Sequence, residues 1–243
     1  MLLVIDCGNT RTKWALASDD GNLAKFEVCM NATIATSSLN RTVQEVDRVL
    51  IANVAGDGMA QQISQLLTPL AVSFLTASPQ ACGVTNGYAE PEKLGADRWA
   101  ALIAALQHNK RATVVVNAGT AITIDVLDEK GKFLGGNIMP GLRLMHESLS
   151  SNAAQLKMGE GISHQFPNNT QDAIVTGSLN AAAGAISLML KRLEKHSGWL
   201  PKLILSGGDA NKIADALKLN LKQVIIMESL VLQGLVLLEK EMR

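Results

Sequence analysis

With 243 residues and 47% hydrophobic content, the chain can bury a sizeable core and fill one large or two small domains. A formal net charge of +0 without long like-charged runs, and only 3% aromatic residues, leave a nucleic-acid surface, a membrane-surface face and a base-stacking platform without support. Cys7, Cys29 and Cys82 have no C-x-x-C spacing, which argues for a reducing compartment and small buried thiols rather than a disulfide frame or a zinc site.

Leu2 to Ile5 is an apolar run that stops at Asp6 and lacks the basic leader of a secretory signal. Cys7-Gly8-Asn9-Thr10 follows, with residues that tolerate a tight turn, and Thr12 to Leu16 reads as the return strand of a β-hairpin. A tip of this composition suits nucleotide phosphates. Backbone N–H groups can approach closely beside Gly8, Thr10 and Thr12 add hydroxyls, Lys13 adds charge, and Asp6 can hold a hydrated divalent metal. The alternative is a plain surface hairpin over a buried first strand.

Leu23 to Met30 reads as a further strand and Ser37 to Arg48 as containing a helix. Val49 to Val54 is a short buried strand with a loop, Ala55 to Gly58, at its carboxyl end. Met59 to Leu70 has helical spacing and Ala71 to Thr76 is β-like, an alternation that predicts an α/β domain. Ala81 to Asp97 is mostly irregular. A helix starts near Asp97 and runs to Leu106, so Asp97 is either a helix-capping carboxylate or one aimed from a loop–helix junction into a cleft.

The next segment repeats the opening. Thr113 to Thr120 parallels Leu2 to Asn9: an apolar strand, then Asn or Asp, a small residue, glycine and a polar turn residue. Ala121 to Leu127 and Phe133 to Ile138 continue as strands, so the chain reads as duplicated halves whose two turns would grip a polyphosphate. Pro140-Gly141 leads into a helix from Leu142 to Leu149. His146-Glu147 begins like H-E-x-x-H, but Ser150 stands where the second histidine should be. Gln155 to Asn169 is a loop with His164. Thr170 reads as the N-cap of the next helix, with Asp172 in its first turn, and Ala181 to Leu193 continues as a very apolar helix, core or interface. No apolar segment is expected to approach bilayer-spanning length. Lys202 to Leu205 is a buried strand ending in Ser206-Gly207-Gly208-Asp209-Ala210, either a ligand-approaching turn or an ordinary strand–helix connection. Leu219 to Ile226 is a last strand and Glu228 to Met242 a helix with a broad apolar face. P-loop, G-x-G-x-x-G, nucleophile-elbow and S-x-x-K motifs are absent.

Two strand–turn–strand phosphate loops and a strand ending in Gly-Gly-Asp resemble the acetate-and-sugar-kinase, heat-shock-chaperone and actin superfamily. Within it, D-x-G-N-T-x-x-K at Asp6–Lys13, G-Y at Gly87–Tyr88, G-A-D-R-W at Gly95–Trp99, x-x-G-T-A-x-T at Asn117–Thr123 and S-G-G-D-A at Ser206–Ala210 look like type III pantothenate kinase. The resemblance implies an α/β fold of two duplicated actin-like (ribonuclease H-like) ATPase domains, 1–111 and 112–243, with a nucleotide cleft between them. It implies a cytoplasmic enzyme that phosphorylates pantothenate with ATP, the first step of coenzyme A synthesis. Asp6, Cys7, Gly8, Asn9, Thr10, Arg11, Thr12 and Lys13 would hold the ATP phosphates and magnesium, Thr120 would contact phosphate, and Gly207 and Gly208 would lie beneath the nucleoside. Asp97 would be the general base. Tyr88, Gly95, Ala96, Arg98 and Thr170 would shape the pantothenate pocket, with Arg98 meeting the carboxylate. The family pairs two subunits and uses potassium or ammonium. Asn117 stands where it has an aspartate at the monovalent-cation position, keeping a carbonyl oxygen but losing the charge, which leaves that requirement open. Nucleic-acid and membrane partners are not implied. The rival readings are another small-molecule kinase on the same fold and a non-catalytic ATP-binding regulatory factor.

Overall fold

A computed structural model describes residues 1–152, 156, 159–219 and 223–243, with the side chains of 43–45 excepted. In chain order the strands and helices are β1 (Leu2–Cys7), β2 (Arg11–Ala17), β3 (Glu27–Met30), β4 (Arg48–Asn53), α1 (Asp57–Leu66), β5 (Val72–Phe74), β6 (Gln80–Ala81), β7 (Val84–Thr85), α2 (Ala96–His108), β8 (Thr113–Ala118), β9 (Ala121–Leu127), β10 (Phe133–Pro140), α3 (Leu142–Asn152), α4 (Thr170–Ser197), β11 (Lys202–Ser206), α5 (Ala210–Leu217), β12 (Val224–Ile226) and α6 (Leu230–Glu241).

Two five-stranded sheets carry the fold, ordered β3-β2-β1-β4-β5 and β10-β9-β8-β11-β12. The layouts correspond strand for strand. β1 runs antiparallel to β2 and parallel to β4, just as β8 runs antiparallel to β9 and parallel to β11. The internal repeat in the sequence is therefore a repeat of sheet topology.

The chain forms two compact units that are not continuous in sequence. The first comprises Met1–Lys110, Gly131–Leu134 and Ser229–Arg243, and the second Arg111–Lys130 and Gly135–Glu228. The last helix, α6, thus belongs to the first unit although it follows the second in the chain. In the first unit Leu3, Ile5, Trp14 and Ile51 pack with Ile34, Leu39, Ile63 and Leu67, while α2 and α6 pack on each other and against β1 and β4. In the second, Val114, Val116, Ile122, Ile124 and Val126 meet Leu179, Ala182, Ile186, Met189, Leu190 and Leu193 of α4.

Several local expectations change. Leu23 forms only an isolated bridge to Ala17, and β3 begins at Glu27. The expected helix within Ser37 to Arg48 is instead a 3₁₀ segment, Ser38–Glu45, preceded by another at Asn31–Thr36. Thr33, Thr36, Ser37 and Thr42 each donate a side-chain hydroxyl to a carbonyl three residues back, local bonds that compete with regular helix. The helical stretches at Thr170 and Ala181 are one 28-residue helix, ended by Gly198 at φ 76°. Its N-cap is Asn169, which accepts the Asp172 N–H, so Thr170 is the first helical residue rather than the cap. By length and composition alone α4 could cross a membrane, which corrects the expectation that no apolar segment approaches that size. Its buried residues recur every three or four positions and lie in the core of the second unit, as in a core helix. The last strand is confined to Val224–Ile226. The beginning of the expected loop at Gln155, and residues 220–222 of the expected last strand, lie outside the described residues.

Candidate functional site

In the first unit the chemistry gathers at the carboxyl end of β1. Antiparallel pairing sets Asp6 directly across from Lys13. Burial pushes the Asp6 carboxyl up to about 7; the Asp97 charge adds to this and Lys13 opposes it. Asp97 lies in the first turn of α2, where burial raises its carboxyl and the Arg98 N–H and charge pull it back down. The Asp97 charge thus reaches the buried Asp6, which faces Lys13 across the strand pair. Among the described residues no group of three or more His, Cys, Asp or Glu could cage a metal. Mg2+ dehydrates reluctantly and takes few protein ligands, so a single carboxylate such as Asp6 at the turn is a donor that suits it.

The β1–β2 turn closes through the Gly8 N–H to the Arg11 carbonyl at 3.1 Å. Asn9 and Arg11 are exposed, and Gly8, Thr10 and Lys13 partly so. Cys7 and Thr12, both expected at the phosphates, are fully buried instead. Strand alternation turns these two side chains into the protein. Burial pushes the Cys7 thiol up to about 12. Thr12 donates its hydroxyl to Asn31 Oδ1 at 2.9 Å. Asn31, which nothing in the local sequence marks, also donates from Nδ2 to the Gly8 carbonyl at 2.8 Å and from its backbone N–H to the Thr10 carbonyl at 3.0 Å.

The substrate-pocket residues of this unit form a second cluster. Gly95 is the N-cap of α2, and a Cβ there would lie 2.7 Å from Asp97 Oδ1, so the glycine leaves room for the carboxylate. Ala96 is buried on the next residue. Arg98 is 5% exposed, donates to the Tyr88 hydroxyl at 2.7 Å, and lies 5.5 Å and 5.8 Å from the ring centroids of Tyr88 and Phe133. Phe133 is fully buried and its ring stands 5.5 Å from that of Tyr88. It is a third member of this cluster that sequence reading missed, because it sits far along the chain in a segment that reads as ordinary strand. Gly87 admits this packing: a Cβ there would meet the Phe133 carbonyl at 1.9 Å. Asn86 fixes the loop by donating to the Ser78 and Pro91 carbonyls and accepting the Tyr88 N–H.

The second unit carries the matching turn. Asn117, next to last in β8, pairs with Thr123 of β9 and Ser206 of β11. Gly119 donates to the Ala121 carbonyl at 3.0 Å, and the Thr120 carbonyl accepts from Gly141 at 2.9 Å. Gly207, at φ 101°, packs so tightly that a Cβ would lie 2.3 Å from the Ala118 carbonyl. Nothing lies within 4 Å of a Cβ at Gly208. A cavity of about 900 Å³ opens beside this turn, lined in part by Leu142, His146, Val175, Leu179, Asp209 and Lys212. Thr170 is exposed at the head of α4. Nearby, Asp172 accepts the Ile162 N–H at 2.7 Å and the Asn169 amide at 2.6 Å, which hold its carboxyl below the usual range.

The profile of the type III pantothenate kinase family matches residues 2–192. A type III pantothenate kinase from Methylobacillus flagellatus is 44% identical over 98% of this chain and 98% of its own, and one from Nitrosospira multiformis is 40% identical over 99% and 92%. Among solved structures, acetate kinase from Porphyromonas gingivalis aligns with a TM-score of 0.52 at 12% identity, covering 99% of this chain and 98% of its own, a likeness of fold alone. The twin sheets are those of the actin-like ATPase and sugar-kinase fold. On the match of its family profile and its full-length identity to these relatives, the chain belongs to the type III pantothenate kinase family.

Proposed function

We propose that this protein transfers the terminal phosphoryl group of ATP to the hydroxyl of pantothenate, giving 4'-phosphopantothenate and ADP, the first step of coenzyme A synthesis. The observation that carries this reading is the Asp6–Lys13–Asp97 constellation at the end of β1, in a chain of this family. Phosphoryl transfer needs the acceptor oxygen in line with the γ-phosphorus and charge stabilisation around the transferring group. Asp97 accepts the hydroxyl proton as the new P–O bond forms. Lys13 and the turn N–H groups of Gly8 to Arg11 stabilise the phosphate charge. Asp6 would hold magnesium, which when bound supplies positive charge to phosphate oxygens. Arg98, buried against Tyr88 and Phe133, offers a preset guanidinium to the pantothenate carboxylate. Gly95 and Ala96 complete that pocket. Thr120 receives phosphate, and the nucleoside lies over Gly207 and Gly208, next to Asp209 at the edge of the cavity of about 900 Å³.

The decisive experiment is pantothenate-dependent release of ADP by the purified protein. ATP binding without such turnover would leave only the non-catalytic factor, and turnover with a different alcohol would favour another kinase. Arg98→Ala is expected to raise KM for pantothenate at least about tenfold, as loss of a charged hydrogen bond does; an effect confined to ATP would contradict its role.

Asn117 offers a cation an oxygen without a charge, so stimulation by potassium or ammonium over sodium is expected to be weak here and stronger in Asn117→Asp. Equal dependence in both proteins would remove the assignment.

The enzyme works in the cytoplasm, which its three free cysteines suit, with no membrane or nucleic-acid partner. It pairs as a homodimer. Ala173, Gly177, Ala181, Gly184 and Leu188 form an exposed strip of mostly small side chains along α4, spaced for close helix packing. A monomer by light scattering at working concentration would exclude this.

A further inference from the structure

We propose that Asn31 is the positioning residue that gives the β1–β2 turn its phosphate-receiving shape. This rests on reading that turn as the ATP site. Asn31 is the first residue of a 3₁₀ segment, well separated in sequence from the turn. Through three bonds it grips three turn positions: its Nδ2 donates to the Gly8 carbonyl at 2.8 Å, its backbone N–H donates to the Thr10 carbonyl at 3.0 Å, and its Oδ1 accepts the Thr12 hydroxyl at 2.9 Å. Thr12 is fully buried, and its hydroxyl reaches Asn31 Oδ1 as well as the Cys7 thiol beside it.

The consequence follows from peptide geometry. A trans peptide points its N–H opposite to its C=O. Holding the Gly8 and Thr10 carbonyls toward Asn31 turns the Asn9 and Arg11 N–H groups to the other side of the turn. The Asn9 amide, on the peptide whose carbonyl Asn31 holds, is thereby turned away from Asn31 and offered to an anion at the tip. Without the side-chain amide the Gly8–Asn9 peptide is free to rotate, and a rotated peptide would present a carbonyl oxygen to the phosphates. Asn31 need not touch the nucleotide to act on it.

The test compares wild type, Asn31→Ala and Thr12→Val by calorimetric titration with MgATP, steady-state kinetics and thermal unfolding. Asn31→Ala is expected to weaken ATP binding and raise KM for ATP about tenfold, the loss of a typical buried hydrogen bond, with KM for pantothenate within about twofold of wild type. Thr12→Val removes one of the same bonds from the opposite side. It is expected to move in the same direction by less, and to add little in the double variant because both changes undo one network. Unchanged ATP affinity in both variants, even with a lowered unfolding midpoint, would reduce Asn31 to a structural residue and overturn the proposal. So would equal losses for ATP and pantothenate. The direct titration keeps the two readings separable. Wild type that binds MgATP without phosphorylating pantothenate would sink the kinase reading alone, and wild type that binds no ATP would sink both. Thr12→Val carries the measurement if Asn31→Ala does not fold.

Discussion

Asp97→Asn is expected to lower kcat by about 10²- to 10⁴-fold, the usual contribution of a positioned general base, while leaving the affinities for ATP and pantothenate within a few-fold of wild type. The substitution is nearly isosteric, and its side-chain oxygen can still accept the Arg98 N–H that now meets Asp97 Oδ1 at 2.8 Å. What it cannot do is take a proton. Rapid kinetics for kcat and equilibrium titration for affinity separate the two effects, and near-wild-type turnover would refute the role. Wild type carries a further signature. Burial raises the Asp97 carboxyl, and only the ionised form is a base. Activity is therefore expected to fall on the acid side at a pH above the ordinary carboxylate range.

Gly234→Ala is expected to destabilise the protein by about 2–3 kcal/mol, the upper range of overpacking costs. A Cβ at Gly234 would lie 1.9 Å from the Ala100 carbonyl oxygen and 2.4 Å from its carbon. These are backbone atoms in a helix, so no rotamer change relieves the overlap, and α6 must move off α2. Alanine's better helix propensity, about 1 kcal/mol, offsets only part of this. At this chain length the thermal midpoint is expected to drop by roughly 4–12 °C. Because Ala100 is one turn from Asp97 on the same helix, kcat is expected to fall as well. Gly58→Ala is the control: it lies in α1 with nothing within 4 Å of its Cβ, and is expected to be neutral or slightly stabilising. Equal unfolding midpoints for the two variants would mean that the α2–α6 contact is not tight.

Much of the candidate site is legible in the chain because its instructions are local. An apolar run followed by Asp6-Cys7-Gly8-Asn9 specifies a strand and a tight turn within a few residues, and the tip repeats at Asn117 to Thr120. Such patterns need no distant partner, since strand alternation and turn chemistry act over neighbouring peptides. The helix carrying Asp97 was legible for the same reason. Motif reading was weaker about which side chains face a ligand. Cys7 and Thr12 lie within the phosphate motif but turn into the core, because a strand alternates its faces whatever the motif implies.

By itself the sequence determined the twin hairpins, the repeated α/β order and the family's motifs, all written in short-range alternation and turn residues. Only the tertiary structure decided that Asn31 braces the phosphate turn, that Phe133 backs Arg98 and Tyr88, and that α6 returns to the first unit. These pairings join residues far apart in the chain, and backbone propensity carries no information about partners at that distance. They are selected by burial of apolar surface and by the need of each buried polar group for a partner, conditions that exist once the chain has packed.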